Sequence, residues 1–176
     1  MAVRPIIIAP DPRLKKKCAP VEQVDDAVAA LMADMLETMY LAPGIGLAAP
    51  QVGVTKRVIV VDASGKEEDP NPIKMANPEL LLASEELWTY EEGCLSLPDH
   101  YAEVERPAKI KVAYLDENNE RQKLEAEELL ATCIQHEMDH LDGMLFVDHL
   151  SALKRKMILR KLAKAKKLKA HDAAAD

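Results

Sequence analysis

Apolar residues recur at helical spacing first between Asp25 and Leu41, where Val28, Leu31, Met32, Met35 and Met39 fall three and four apart. Pro43-Gly44 ends the pattern, which predicts an amphipathic helix. Short β-branched or alternating runs at Arg57–Asp62, Glu79–Ala83, Ala108–Leu115 and Gln122–Glu127 read as strands. The Asp116-Glu117-Asn118-Asn119 cluster reads as the hairpin turn joining the last two. Ser64 to Pro78, with its prolines and charges, reads as a loop inside the domain. A second helix is expected from about Glu125 to Leu141 and a third from Ser151 toward Lys169. Strands in the middle bracketed by helices predict an α+β fold: a single domain of mostly antiparallel strands around the second helix.

The chain has 176 residues, which fits one compact domain. Residues 1–150 are expected to be its body and 151–176 a basic C-terminal helix and tail of the same domain. One Phe, one Trp and four Tyr leave few stacking platforms for nucleic acid, so no DNA partner is expected. The N-terminal apolar run, Ile6 to Ala9, is too short for a signal-peptide core or a membrane span, and a cytoplasmic protein without membrane contact is expected. Cys18, Cys94 and Cys133 are odd in number and widely spaced, which argues against a disulfide framework. The net charge of −7 hides a division. Residues 1–150 hold 14 Lys and Arg against 28 Asp and Glu, while 151–176 hold 9 against 2. Such a tail fits either an anionic partner or a solvated charged helix.

The sharpest chemical signal is His136-Glu137-Met138-Asp139-His140. Histidines at i and i+4 lie on one helix face about 6 Å apart and can share a metal, with the glutamate beside them reaching a water on it. The motif alone also fits two surface histidines. At about 100° per residue, however, Leu129, Cys133, His136, Glu137 and His140 share an arc beside the apolar stripe of Leu130, Ile134 and Leu141. The histidines are therefore expected on the core side, where a shared metal satisfies them. A catalytic site needs a third protein ligand. The longer metalloprotease motif would place a histidine where Phe146 stands, and His149 reads as an ordinary polar residue. Cys94 in Glu92-Gly93-Cys94-Leu95-Ser96 is a candidate thiolate ligand, although a lone cysteine is more often an inert buried thiol; Cys133 is assigned that inert role.

Gly44-Ile45-Gly46-Leu47-Ala48-Ala49-Pro50-Gln51 lets backbone press against a ligand, lacks the lysine and spacing of a phosphate loop, and offers Gln51 as its polarising side chain. Taken in order, GIGLAAPQ at 44–51, EGCLS at 92–96 and QHEMDH at 135–140 resemble the three signature motifs of the bacterial-type peptide deformylases, and the resemblance covers most of the chain from Asp25 onward. It implies removal of the formyl group from the N-terminal methionine of newly made proteins, with release of formate. It implies Cys94, His136 and His140 as ligands of one Fe(II), replaceable by Zn, Ni or Co. Glu137 would then carry the proton, Gln51 and the Leu95 backbone would meet the oxyanion beside Gly46, and Gly44, Ile45, Leu129 and Cys133 would line the methionine pocket. Tyr101 stands where some members have an arginine near the substrate. A C-terminal helix in the family contacts the ribosome, and a monomer acting on formyl-methionyl nascent peptides is expected. The alternatives are an HExxH metallopeptidase cleaving peptide bonds and a non-catalytic ribosome-binding protein with a structural metal.

Overall fold

The computed structural model describes residues 2–175. Helix α1 (Asp26–Leu41) starts where the Asp25 carboxylate accepts the Val28 N–H at 2.9 Å, a side-chain cap for an otherwise orphaned donor. Its buried face carries Val28, Leu31, Met32, Met35 and Met39, as the periodicity predicts. That face packs on β1 (Gly46–Ala48) and β2 (Val58–Val61) through one apolar cluster with Leu47, Val58 and Val60. Burial of such side chains stabilises by about 1.5–3 kcal/mol each.

Strands β3 (Ile73–Ala83), β6 (Lys109–Leu115) and β7 (Arg121–Glu127) extend the sheet, which is antiparallel throughout in the order β1-β2-β3-β6-β7. Helix α2 (Glu128–Leu141) lies across it, burying Ala131, Cys133, Ile134 and Leu141 against Ile59, Val61, Val112 and Ala126. A separate antiparallel hairpin, β4 (Leu87–Cys94) and β5 (Leu97–Pro107), turns at Leu95-Ser96. Helix α3 (Ala152–Ala175) follows a short 3-10 turn at Phe146–His149. The fold is thus α+β with antiparallel sheets and three helices, as the sequence predicts.

Four local expectations are corrected. The stretch read as a loop to Pro78 enters β3 at Ile73; Pro78 is accommodated because Asn77 (φ 49) opens a register shift in the ladder, its side chain holding the Val21 backbone at 2.9 and 2.8 Å. Glu125 to Glu127 belong to β7 and not to the helix, because Ala126 is buried and the ladder with Lys109–Lys111 outweighs helical propensity. Strand passes directly into helix through Glu128, whose φ of 49 makes the turn. The β4–β5 hairpin is absent from the pattern reading, since most of β4 is exposed on both faces and shows no alternation. Finally, the Lys- and Ala-rich turns of α3 beyond Ile158 are expected from the sequence to project into solvent, but Leu162 is buried with Leu14, Phe146 and Val147, and the helix runs on to Ala175.

Candidate active site

Three elements converge on one cavity of about 560 Å³: the Pro43–Gly46 segment entering β1, the tip of the β4–β5 hairpin, and the inner face of α2. The hairpin brings Cys94 to the two histidines of α2. The Cys94 Sγ lies 3.3 Å from His140 Nε2, and the candidate donor atoms of Cys94, His136 and His140 all lie within 4.8 Å of one another. The rings of His136 and His140 sit edge to face with centroids 5.1 Å apart. Phe146, where the longer metalloprotease motif would need a ligand, is instead buried and stacked on His136 at 6.2 Å.

Protonation in the site follows from its surroundings. The His136 Nδ1 lies 2.8 Å from Glu92 Oε1, which orients the ring. Burial disfavours its charged form, but Cys94 and Glu92 outweigh burial and push its pKa well above the ordinary value, so an ion bound at Nε2 would displace the proton held there. Burial pushes the Glu92 carboxyl up, but hydrogen bonds from His136 and Arg106 outweigh it and hold it below the ordinary range. Burial and the charges of His136 and Arg106 drive His140 well below its ordinary value, to the neutral form in which imidazole ligates. His140 Nδ1 and Glu137 Oε2 are buried without hydrogen-bond partners among the described residues. A soft thiol and two imidazoles converging on one point, beside an orphaned carboxylate oxygen, fit a divalent transition metal.

Glu137 is 4% exposed, and its burial pushes the carboxyl up to about 7, against the lowering effect of His136. The backbone of Gly46 passes so close that a Cβ there would meet the Glu137 carboxylate and lie 2.9 Å from Cys133 Sγ. At Gly44 a Cβ would lie 2.7 Å from the Leu95 side chain. Gln51 is fixed at both ends: its Oε1 accepts the Ala48 N–H at 2.9 Å, and its amide nitrogen donates to Ser96 Oγ at 3.0 Å and lies 3.5 Å from Cys94 Sγ. Ile45, Leu129 and Cys133 line the cavity with Gly44 and Gly46, and Leu95 closes it at the hairpin tip. Every site residue singled out in the sequence is therefore at or beside one cavity, while His149 is away from it, bonded to Asp139 at 2.8 Å.

A model of the polypeptide deformylase family matches residues 3–156. The chain belongs to that family. A deformylase-family relative named peptide deformylase from Methylocella silvestris is 58% identical over 98% of this chain and 89% of its own length. Another of that name from Agrobacterium fabrum is 53% identical over 96% of this chain and 99% of its own. Among solved structures, a peptide deformylase from Ehrlichia chaffeensis superposes with a TM-score of 0.92 at 38% identity, covering 96% of this chain and 99% of that one. The same organism's enzyme in complex with actinonin gives 0.90 at 40%, covering 94% and 98%.

The family motifs do not include Arg106, which sequence reasoning missed. It is 5% exposed and grips Glu92 through Nε at 2.7 Å and Nη2 at 3.0 Å, while Nη1 reaches Asp139 at 2.9 Å. A line of charge-assisted bonds thus runs from His149 through Asp139, Arg106 and Glu92 to His136. Its sequence signal was the buried-register position of an arginine in a strand that the pattern did not reveal.

Proposed function

We propose that the chain removes formyl groups from N-terminal methionine through a water activated between a metal and Glu137. The observation that carries this reading is the convergence of Cys94, His136 and His140 beside a buried carboxyl raised to about 7. These three side chains would hold the ion, whose Lewis acidity would bring the pKa of a water from 15.7 to near 7. Glu137 then accepts the water proton at its unpaired Oε2 and returns it to the amine leaving group, so that formate and a free N-terminus result. The oxyanion formed at the formyl carbon is met by the Gln51 amide, pre-oriented by Ala48, and by the Leu95 backbone N–H; one such donor contributes about 3 kcal/mol. Ile45, Leu129 and Cys133 receive the methionine side chain. The close approach of Gly44 and Gly46 favours hydrogen over methyl on the reacting carbon.

The same reading takes the ion as Fe(II), with Zn, Ni or Co able to replace it, and the chain as a cytoplasmic monomer. Residues 1–150 are its catalytic body, and α3 with its basic tail is a ribosome contact. No helix among the described residues is long and apolar enough to cross a membrane. Anaerobically purified protein should release formate from formyl-Met-Ala-Ser, leave acetyl-Met-Ala-Ser intact, lose activity in air and keep it when loaded with Ni. Cleavage of internal peptide bonds without formate release would favour the metallopeptidase alternative.

A further inference from the structure

A second cavity of about 550 Å³ lies against the first. The two share Ile6, Ile8, Pro98 and Asp99, so one thin wall separates the reacting centre from a chamber that has no part in the chemistry described above. The wall is firmly built. Ile7 N–H donates to the Gln51 carbonyl and Ala9 N–H to the Ser96 carbonyl, both at 2.8 Å, and Asp99 turns the wall with a left-handed backbone at φ 65.

The chambers differ in charge. Glu91 and Asp99 stand exposed at the rim of the first, with no lysine or arginine lining it. The second is lined by Lys166 and Lys169 from α3 and by Arg13. Its one further carboxylate, Asp11, is already occupied, accepting Arg13 at 3.0 and 2.8 Å and lying 3.8 Å from Lys166. Lys169 makes no ion pair among the described residues. Ile6, Ile8, Val52 and Leu162 supply an apolar floor.

We propose that the second cavity is a distal subsite for the formylated chain itself, taking residues beyond the third and selecting acidic side chains there. This inference rests on the deformylase reading, since it follows the same substrate outward from the same centre. The four shared lining residues put the chambers side by side, so an extended chain leaving the first crosses that ridge into the second. The excess of cations over carboxylates there, with Lys169 in no ion pair among the described residues, supplies the preference. Arg13, Lys166 and Lys169 outnumber Asp11 and Asp99 in the lining and leave net positive charge over an apolar floor, which suits an extended acidic segment and disfavours a basic one. Helix α3 would then contribute to substrate choice as well as to any outside partner.

The test compares kcat/KM for formyl-Met-Ala-Ser-Gly-Glu-Glu-Glu and formyl-Met-Ala-Ser-Gly-Lys-Lys-Lys at low salt, in the metal-loaded protein and in its Lys166→Glu/Lys169→Glu variant, with formyl-Met-Ala-Ser as reference. Two exposed ion pairs predict a preference of roughly fivefold for the acidic peptide in the unaltered protein. The variant should lose or reverse that preference. Each ratio is taken within one protein, so a partly unfolded variant does not alter it. Equal values for the two long peptides, or a preference that survives charge reversal, would mean that the cavity holds something other than the substrate chain and would overturn the proposal. No turnover even of the short reference by the unaltered protein would overturn the deformylase reading, and this proposal with it.

Discussion

At Asp62, 5% exposed, a single carboxylate ties the substrate wall to the core. Its backbone N–H donates to the Ile45 carbonyl at 2.8 Å, and its side chain accepts from Tyr40 and Ser64, both at 2.5 Å. Burial raises its pKa, but these hydrogen bonds outweigh burial and leave it below the ordinary range. The Tyr40 phenol is pushed up to about 12 by burial and by the same carboxylate. A carboxyl whose pKa is lower in the folded chain than in the unfolded one, about 3.9, stabilises fully above that value and less as pH falls through it. Thermal melts should therefore show Asp62→Asn less stable than the unaltered protein at pH 6, with the gap narrowing toward pH 3; a gap independent of pH would contradict this account. Such a role is invisible in sequence, where Asp62 is the last residue of a β-branched run.

At the scale of elements, the β4–β5 hairpin brings one candidate metal ligand, Cys94, to the two that α2 carries, and Arg106 fastens the hairpin to the helix. Replacing Arg106 by alanine leaves the buried Glu92 with His136 as its one remaining side-chain partner and without the guanidinium charge, which should destabilise the fold by about 3–5 kcal/mol. It also loosens the orientation of His136, and metal affinity should fall about 10–100-fold, measured by chelator competition. Retained affinity in a destabilised variant would mean that the network serves folding alone. The elements differ in how far they could be read from the sequence. Helices α1 and α2 bury one face each, so their periodicity was legible, and the phase of α2 placed His136, Glu137 and His140 inward. Most of β4 is exposed and shows no alternation, while β5 alternates from His100 to Arg106 with only Ala102 and Val104 as apolar inward residues, too few to stand out in the pattern. The hairpin's approach to α2 was therefore legible only through the cysteine string that the family shares. Glu125 to Glu127 were read both as the end of a strand and as the start of the helix, and ladder pairing, a long-range effect, decides for the strand.

The whole molecule is acidic, with formal charge −7, yet its cations gather on α3, where Lys154, Arg155, Lys156, Arg160, Lys161, Lys164 and Lys167 face outward. Cutting the chain at Lys161 would strip Leu162 from the core as well as charge from the surface, so substitution is the cleaner test. Exchanging Lys156, Arg160, Lys164 and Lys167 for glutamine should weaken co-sedimentation with ribosomes and flatten its dependence on salt. Equal binding at two salt concentrations would make α3 a solvated charged helix with no part in that contact. The account as a whole turns on Glu137 as the proton carrier of a Cys94-His136-His140 metal centre, and formate release measured against metal content tests it most directly. Glu137→Gln should retain about one ion per chain while releasing formate from formyl-Met-Ala-Ser at least about a hundredfold more slowly than the unaltered protein. Unchanged formate release at matched metal content would contradict it.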